Sequence, residues 1–408
     1  MPTKAGVGMS RHHNPNVAGR EAAEQALEKA GVERPDFVFM FASIGYDQQS
    51  LVRAVWETTG GAPLTGCSAE GTIDGHNADE SSFSVVVTAI SSDQLRWHHG
   101  IARGLVEDDT RAVGQRVVKD LLPHLSAETI GLFVFPDGRV DFGFSRDNLD
   151  NFFAGLQENL PSERFLPLWG GGAGGAFADI NTASTPHQYC DDEVISGGVS
   201  YALLSGKAQA SWAISHTVIP IGGERKVTRS QGNVIHEIDN KPAVEVLKEH
   251  LPEHALADDR DWMDYAVSLA LCFRAPSYMK NEEYVVRGVP AVKMADGSII
   301  VQTEVQEGTS IWFSSRDKEK LATGLDRMAA QIKEQLGGQN PKLVFQFECA
   351  TRGKDMLREQ DKLQFLRHFR RSVDPEVPWA GYYCAGEIGP VEEHNNHHLY
   401  TAVVLALS

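Results

Sequence analysis

The chain has little of what usually declares a function. Cysteines number 5 in 408 residues (Cys67, Cys190, Cys272, Cys349, Cys384), dispersed and without a CxxC; this disfavours a disulfide framework or a structural zinc site and fits free thiols in a reducing compartment. No basic stripe appears and the formal charge is −17, which argues against nucleic acid or anionic lipid as the principal partner, because phosphate is held by grouped Lys and Arg. The longest mainly apolar run, Ala266 to Phe273, is too short to span a bilayer, and the opening Met1-Pro-Thr-Lys-Ala-Gly-Val has no apolar leader segment. A cytosolic protein is expected. The glycine run Gly170 to Gly175 is not followed by Lys-Ser or Lys-Thr, and there is no GxSxG and no CxxCH, so nothing points to a P-loop, a serine hydrolase elbow or covalently attached haem.

What the chain does have is repetition. Pro63-Leu-Thr-Gly66-Cys-Ser-Ala, Pro167-Leu-Trp-Gly170-Gly-Gly-Ala and Pro378-Trp-Ala-Gly381-Tyr-Tyr-Cys-Ala-Gly share Pro-x-x-Gly followed by small residues. Each follows a buried strand pattern and an amphipathic stretch and precedes another apolar run. The first cycle reads Phe37 to Ala42, Gln48 to Thr58, the glycine turn, then Ser82 to Ile90. Ile130 to Phe135, Leu149 to Leu160 and Gly197 to Leu204 repeat it, and Leu343 to Phe347, Leu363 to Phe369 and Leu399 to Leu407 repeat it again. The expected fold is therefore mixed α/β: two related domains of repeated β-α-turn-β units, with mixed sheets flanked by helices. Length agrees with two domains of about 200 residues, here 1–225 and 226–408, with the division inside 205–265. Between the second and third cycles, Val227 to Ile238 reads as a hairpin turning at Gln231-Gly232-Asn233, Pro242 to His250 as a helix, and Leu251 to Asp264 as a polar junction.

Several constellations could carry chemistry. The three glycine turns sit at corresponding points of the cycle, so together they could line a cleft with backbone; close approach of strands is the plainer reading. Cys349-Ala-Thr-Arg352 follows a buried strand: a thiol beside a guanidinium has a lowered pKa, and Arg352 suits a bidentate carboxylate, though a buried Cys and a solvated Arg read equally well. Glu387 lies in a glycine-rich turn as a ligand or a turn acceptor. His394, His397 and His398 with Glu392 and Glu393 read as a polar loop rather than a metal site. His216, on an apolar strand-like stretch, could be a core histidine or an axial ligand.

Taken together the motifs resemble a known family. Phe41-Ala-Ser, Gly66-Cys-Ser-Ala-Glu-Gly71-Thr-Ile73, Pro167-Leu-Trp-Gly-Gly-Gly-Ala-Gly and Pro220-Ile-Gly222 look like the N-terminal FIST domain. Tyr284-Val-Val-Arg-Gly288, Phe347-Glu-Cys-Ala-Thr-Arg-Gly353 and Gly381-Tyr-Tyr-Cys-Ala-Gly-Glu-Ile-Gly-Pro390 resemble the C-terminal FIST domain. The resemblance implies a non-enzymatic sensory module for signal transduction that binds a small ligand, such as an amino acid, and signals through a separate partner. It also implies a haem-binding nitric oxide sensor acting on a partner histidine kinase as an alternative, with His216 as the axial ligand; a Cys349-dependent enzyme is a third reading. One departure decides the weighting. The N-terminal copy has Gly71-Thr72-Ile73, with its acid moved to Glu70, whereas Gly386-Glu387-Ile388 keeps the Gly-Glu-Ile of the family. The expected ligand residues are thus Arg352, Glu387, Cys349, Gly386 and Gly381, ahead of Cys67, Ser68 and Glu70.

Overall fold

A computed structural model describes residues 3–142, 148–161, 165–175, 185–252, 256, 262–266, 268–274 and 284–408. The first cycle folds as β1 (Lys4–Ser10), α1 (Pro15–Ala30), β2 (Phe37–Ser43), α2 (Gln48–Thr58), β3 (Leu64–Ala69), the short hairpin β4 (Gly71–Ile73) and β5 (Ala78–Asp79), and β6 (Val85–Ser91). Asn14 caps α1 by accepting from the Asn16 and Val17 N–H groups, and Gly31 ends it in the left-handed region. The alanine stripe Ala18, Ala22, Ala23, Ala26 and Ala30 is buried because the strand beneath is equally small: a Cβ on Gly8 would come within 2.1 Å of the Ala22 carbonyl oxygen.

The second cycle repeats these parts: β7 (Leu95–Ala102), α3 (Thr110–Leu121), β8 (Thr129–Pro136), α4 (Leu149–Glu158), β9 (Leu168–Gly171), the hairpin β10 (Gln188–Cys190) and β11 (Glu193–Ile195), and β12 (Val199–Gly206). The third begins at β13 (Ala210–His216) and is then interrupted. The interruption comprises β14 (Val218–Gln231), β15 (Val234–Ile238), β16 (Lys241–Pro242), α5 (Ala243–Lys248), α6 (Met263–Ala266), β17 (Leu269–Arg274), β18 (Tyr284–Arg287), β19 (Ala291–Lys293), β20 (Ser298–Ile300) and β21 (Ser310–Arg316). It forms a sheet of its own in the order β18-β17-β21-β14-β15-β20-β19, packed on a separate apolar cluster that includes Val227, Ile235, Leu247 and Phe313. The cycle then resumes with α7 (Lys318–Gln335), β22 (Leu343–Cys349), α8 (Glu359–Val373), β23 (Trp379–Cys384), the hairpin β24 (Glu387–Val391) and β25 (His394–His398), and β26 (Thr401–Leu407). The expected hairpin at Gly232-Asn233 is there, as β14 and β15. The interval Leu251 to Asp264 lies mostly outside the described residues.

The three cycles build three sheets with one order of parts: β1-β6-β2-β3, β7-β12-β8-β9 and β13-β26-β22-β23. In each, the last two strands are the parallel pair and the rest run antiparallel. Each sheet is then extended by a hairpin from another cycle. The first cycle gives β4-β5 to the third sheet, the second gives β10-β11 to the first, and the third gives β24-β25 to the second. The exchange is cyclic, so no cycle completes its sheet from its own chain alone.

Where the sheets face one another, Phe39, Phe133 and Phe345 form a triangle with ring centroids 4.8, 4.8 and 5.2 Å apart. Two residues on, as strand alternation requires, Phe41, Phe135 and Phe347 surround Tyr382 at 4.4, 6.2 and 5.8 Å. Each buried ring contributes about 1.5–3 kcal/mol, and the shared layers tie all three sheets into one core. The Pro-x-x-Gly segments, expected as turns, are instead the starts of the parallel strands β3, β9 and β23. Their glycines permit close strand approach: a Cβ on Gly66, Gly170 or Gly381 would lie 1.8, 2.0 or 2.0 Å from the carbonyl oxygen of Met40, Val134 or Gln346 on the neighbouring strand.

Candidate functional site

The true turns follow those strands, and they meet. Beyond β3, β9 and β23 the chain is joined main chain to main chain: Glu70 N–H donates to Tyr383 O at 2.9 Å, Gly174 N–H to Ser68 O at 2.9 Å, Gly172 N–H to Gly386 O at 2.9 Å and Ala385 N–H to Gly172 O at 3.0 Å. Side chains would prevent this, since a Cβ on Gly172 or Gly174 would sit 2.4 Å from Ala385 O or 2.5 Å from Glu70 N. The carboxyl ends of three parallel strand pairs therefore converge, the kind of place where open α/β sheets bind ligands.

Around this junction the residues expected from sequence separate into groups. Cys67 faces the aromatic core, is hydrogen-bonded to Tyr382 and has its thiol pushed up by burial. Ser68 is buried, donating to Gly174 O at 2.6 Å and accepting from His187 N–H at 2.8 Å. Glu70 is half-buried and accepts from Gly175 N–H at 2.6 Å. Gly386, at φ 87°, leaves room for His397, whose Nε2 would lie 2.0 Å from a Cβ there. Gly381 lies within β23, where a Cβ would press on the Gln346 backbone.

Arg352, Glu387 and Cys349 do come together, in a closed cluster. Arg352 Nε donates to Glu348 Oε1 at 2.5 Å and Nη1 to Ser215 O at 3.0 Å, with 1% of its side chain exposed. Glu387, fully buried, accepts from Thr401 N–H at 3.2 Å and from the Cys384 thiol at 3.4 Å. Burial outweighs the Cys384 hydrogen bond and the nearby Arg352 charge, so its carboxyl is held well above the usual carboxylate range. The expectation of a lowered Cys349 pKa is overturned: burial first, then Glu387, push its thiol up to about 12. Arg352 is occupied by Glu348, so the thiol stays protonated and is not an activated nucleophile.

Glu348, Arg352, Gln346 and Tyr383 also line a cavity of about 30 Å³ against α7 and α8. That is room for roughly two waters.

Sequence reading passed over one group at the junction. Asp137, at the end of β8 in the place that Cys349 takes at the end of β22, is buried and grips Arg139 with two oxygens, both contacts 2.9 Å. It also accepts Gly197 N–H at 2.9 Å. The Asp137 hydrogen bond raises the Arg139 pKa, and Arg139 is 26% exposed. Gly138 lies directly in the junction, since its Cβ would meet Ala173 O at 2.4 Å and Ala385 Cβ at 2.6 Å. The signal was there in Asp137-Gly-Arg139 immediately after the apolar run Ile130 to Phe135 and Pro136, where the third cycle has Cys349-Ala-Thr-Arg352.

Two family models match collinearly, the FIST N domain over residues 36–241 and the FIST C domain over 243–390. The chain belongs to the FIST family. FIST domains are sensory modules associated with signal transduction. Among relatives, the uncharacterized protein MT0656 of Mycobacterium tuberculosis is 24% identical over 98% of both chains. The uncharacterized protein MJ1623 of Methanocaldococcus jannaschii is 23% identical over 85% of this chain and 68% of its own. Solved structures of a chorismatase and of a cyanuric acid hydrolase from A. caulinodans each cover 100% of this chain and 99% of theirs, at 11% and 10% identity and a TM-score of 0.35. At that score no property passes from them to this FIST chain. No helix among the described residues is long and apolar enough to cross a membrane.

Haem, raised by the FIST resemblance, requires an apolar slot beside its axial histidine. His216 is 3% exposed at the end of β13, and its Nδ1 accepts Val218 N–H at 3.4 Å. It belongs to a buried histidine group: His398, held down to about 3 by burial, feels Arg287, His397 and His216. As described, the ring of His216 is shut in, so these residues do not fit a macrocycle. The stretch expected as a polar loop is the hairpin β24-β25, with His397 and His398 buried.

Proposed function

We propose that this FIST chain is a sensory module that takes a small ligand with an acidic group, such as an amino acid, at the junction of its three turns and passes its occupancy to a separate signalling protein. The observation that supports it is the convergence of three strand carboxyl ends on one backbone junction, with Arg139 as a partly exposed cation there. Arg352, the cation expected from sequence, is enclosed and already paired, so Arg139 is the better anchor. Asp137 orients the guanidinium for a second carboxylate. A ligand arriving at this junction touches all three cycles at once, which gives occupancy a route to the whole fold.

Calorimetry and thermal shift against a panel of amino acids and small dicarboxylates test this. Binding by the wild type should weaken by about 1.5–3 kcal/mol in Arg139→Ala, the scale of a charged hydrogen bond, with part recovered in Arg139→Lys. Affinity unchanged in both variants, or no panel member bound, would remove the reading.

A further inference from the structure

Away from the turn junction, the edges of two sheets bring a nitrogen, a sulfur and an oxygen donor together. His99 lies on β7, the edge strand of the second sheet, while Cys190 ends β10 and Asp191 starts the β10-β11 turn at the edge of the first sheet. The His99 nitrogen, Cys190 Sγ and an Asp191 oxygen all lie within 4.8 Å of one another. His99 Nε2 is 2.8 Å from Asp191 Oδ1. We propose that His99, Cys190 and Asp191 form a site for a zinc-like divalent ion that clips the β10-β11 hairpin to β7.

The donor chemistry sets the class of ion. One imidazole, one thiolate and one carboxylate suit a borderline cation such as Zn²⁺ and not Mg²⁺ or Ca²⁺, which take oxygen ligands. Tetrahedral zinc holds such donors roughly 3.3–3.6 Å apart, given bonds of 2.0–2.3 Å, so the His99–Asp191 contact would open slightly and the sulfur close in, leaving a fourth position for water. The donors are also held in place. The His99 ring lies edge-on to Phe37 at 5.5 Å, Asp191 accepts Leu64 N–H at 3.1 Å, and Asp191 occupies the left-handed region at φ 56°, uncommon for a residue other than Gly. Asp191 and Glu193 bring negative charge to Cys190, which favours a cation there, and burial keeps its thiol protonated until an ion arrives. An arriving ion would replace that proton, forming the metal–sulfur bond and releasing H⁺.

The full chain, freed of metal by chelation, is titrated with Zn²⁺ by calorimetry and with Co²⁺ by absorbance. The expected result is one ion per chain, proton release on binding, and a thiolate-to-cobalt charge-transfer band that is lost in Cys190→Ser. His99→Ala, checked for folding by circular dichroism, should weaken Zn²⁺ by about tenfold or more. No Zn²⁺ uptake by the wild type, or a charge-transfer band that survives in Cys190→Ser, would overturn the site.

Discussion

Tyr382 donates its hydroxyl proton to the Gly171 carbonyl at 2.5 Å, across the centre of the fold. Tyr382 comes from the third cycle and Gly171 from the second, and the ring stacks on Phe41 of the first. A Cβ on Gly171 would strike Cys384 Sγ at 2.7 Å, so residue 171 has to be small. Tyr382→Phe keeps the ring and loses one hydrogen bond, with an expected cost of about 1 kcal/mol. Tyr382→Ala empties the centre of three sheets and should cost about 3–5 kcal/mol. Urea unfolding of both variants checks the ratio; equal losses would show that the ring packing is not what matters.

The three Pro-x-x-Gly glycines should be intolerant of alanine for one reason. At Gly66 and Gly170 the backbone is at φ 153° and 149°, and at all three a Cβ would press into a carbonyl oxygen of the adjacent parallel strand. Overpacking that only backbone movement can relieve costs about 3 kcal/mol. Gly223, exposed and with nothing within 4 Å of a Cβ, is the control, where alanine should change the melting temperature little. Comparable losses at Gly223 and Gly170 would refute the account.

The repeat was legible in the sequence because its signals are local. Phe37 to Ala42 and Ile130 to Phe135 are apolar throughout, and strands covered on both faces need that. The helix of alanines from Asn16 and the hairpin at Gly232-Asn233 also carry their own punctuation. The hairpin exchange was not legible. β4 and β5 are 3 and 2 residues long and join the third sheet through main-chain bonds, such as Gly381 to Ile73, that leave no side-chain signature. The same limit explains the site. Cys349, Arg352 and Glu387 lie near one another, yet the shifts of Cys349 and Glu387 come first from burial, which depends on packing between cycles. Asp137 and Arg139 needed the knowledge that β8 and β22 are equivalent strands.

The Arg352–Glu348 pair is buried, so breaking it from one side leaves a charge without compensation. Arg352→Ala should cost about 3–5 kcal/mol, whereas Arg352→Met combined with Glu348→Gln should recover most of that loss. Denaturant unfolding of the single and double variants reads the difference. A double variant as unstable as the single would mean that Arg352 acts through its bond to Ser215 O and not through Glu348.

Glu387 gives the molecule a pH dependence of a definite sign. Its carboxyl is raised in the folded state above the unfolded value of about 4.3, so the folded chain binds more protons than the unfolded one above that pH. The stabilisation from the neutral acid is complete below about pH 4.3 and is lost as pH rises toward the folded pKa. Glu387→Gln keeps a neutral acceptor for Thr401 N–H and cannot ionise. His398, held down to about 3, contributes the opposite slope between its folded value and about 6.5, but that slope is common to wild type and variant. Subtracting the two stability curves therefore isolates Glu387: the variant should gain on the wild type as pH rises above about 4.3. Chemical denaturation at intervals across that range would show the divergence, and parallel curves would mean that Glu387 is ionised in the folded protein, with Arg352 compensating its charge.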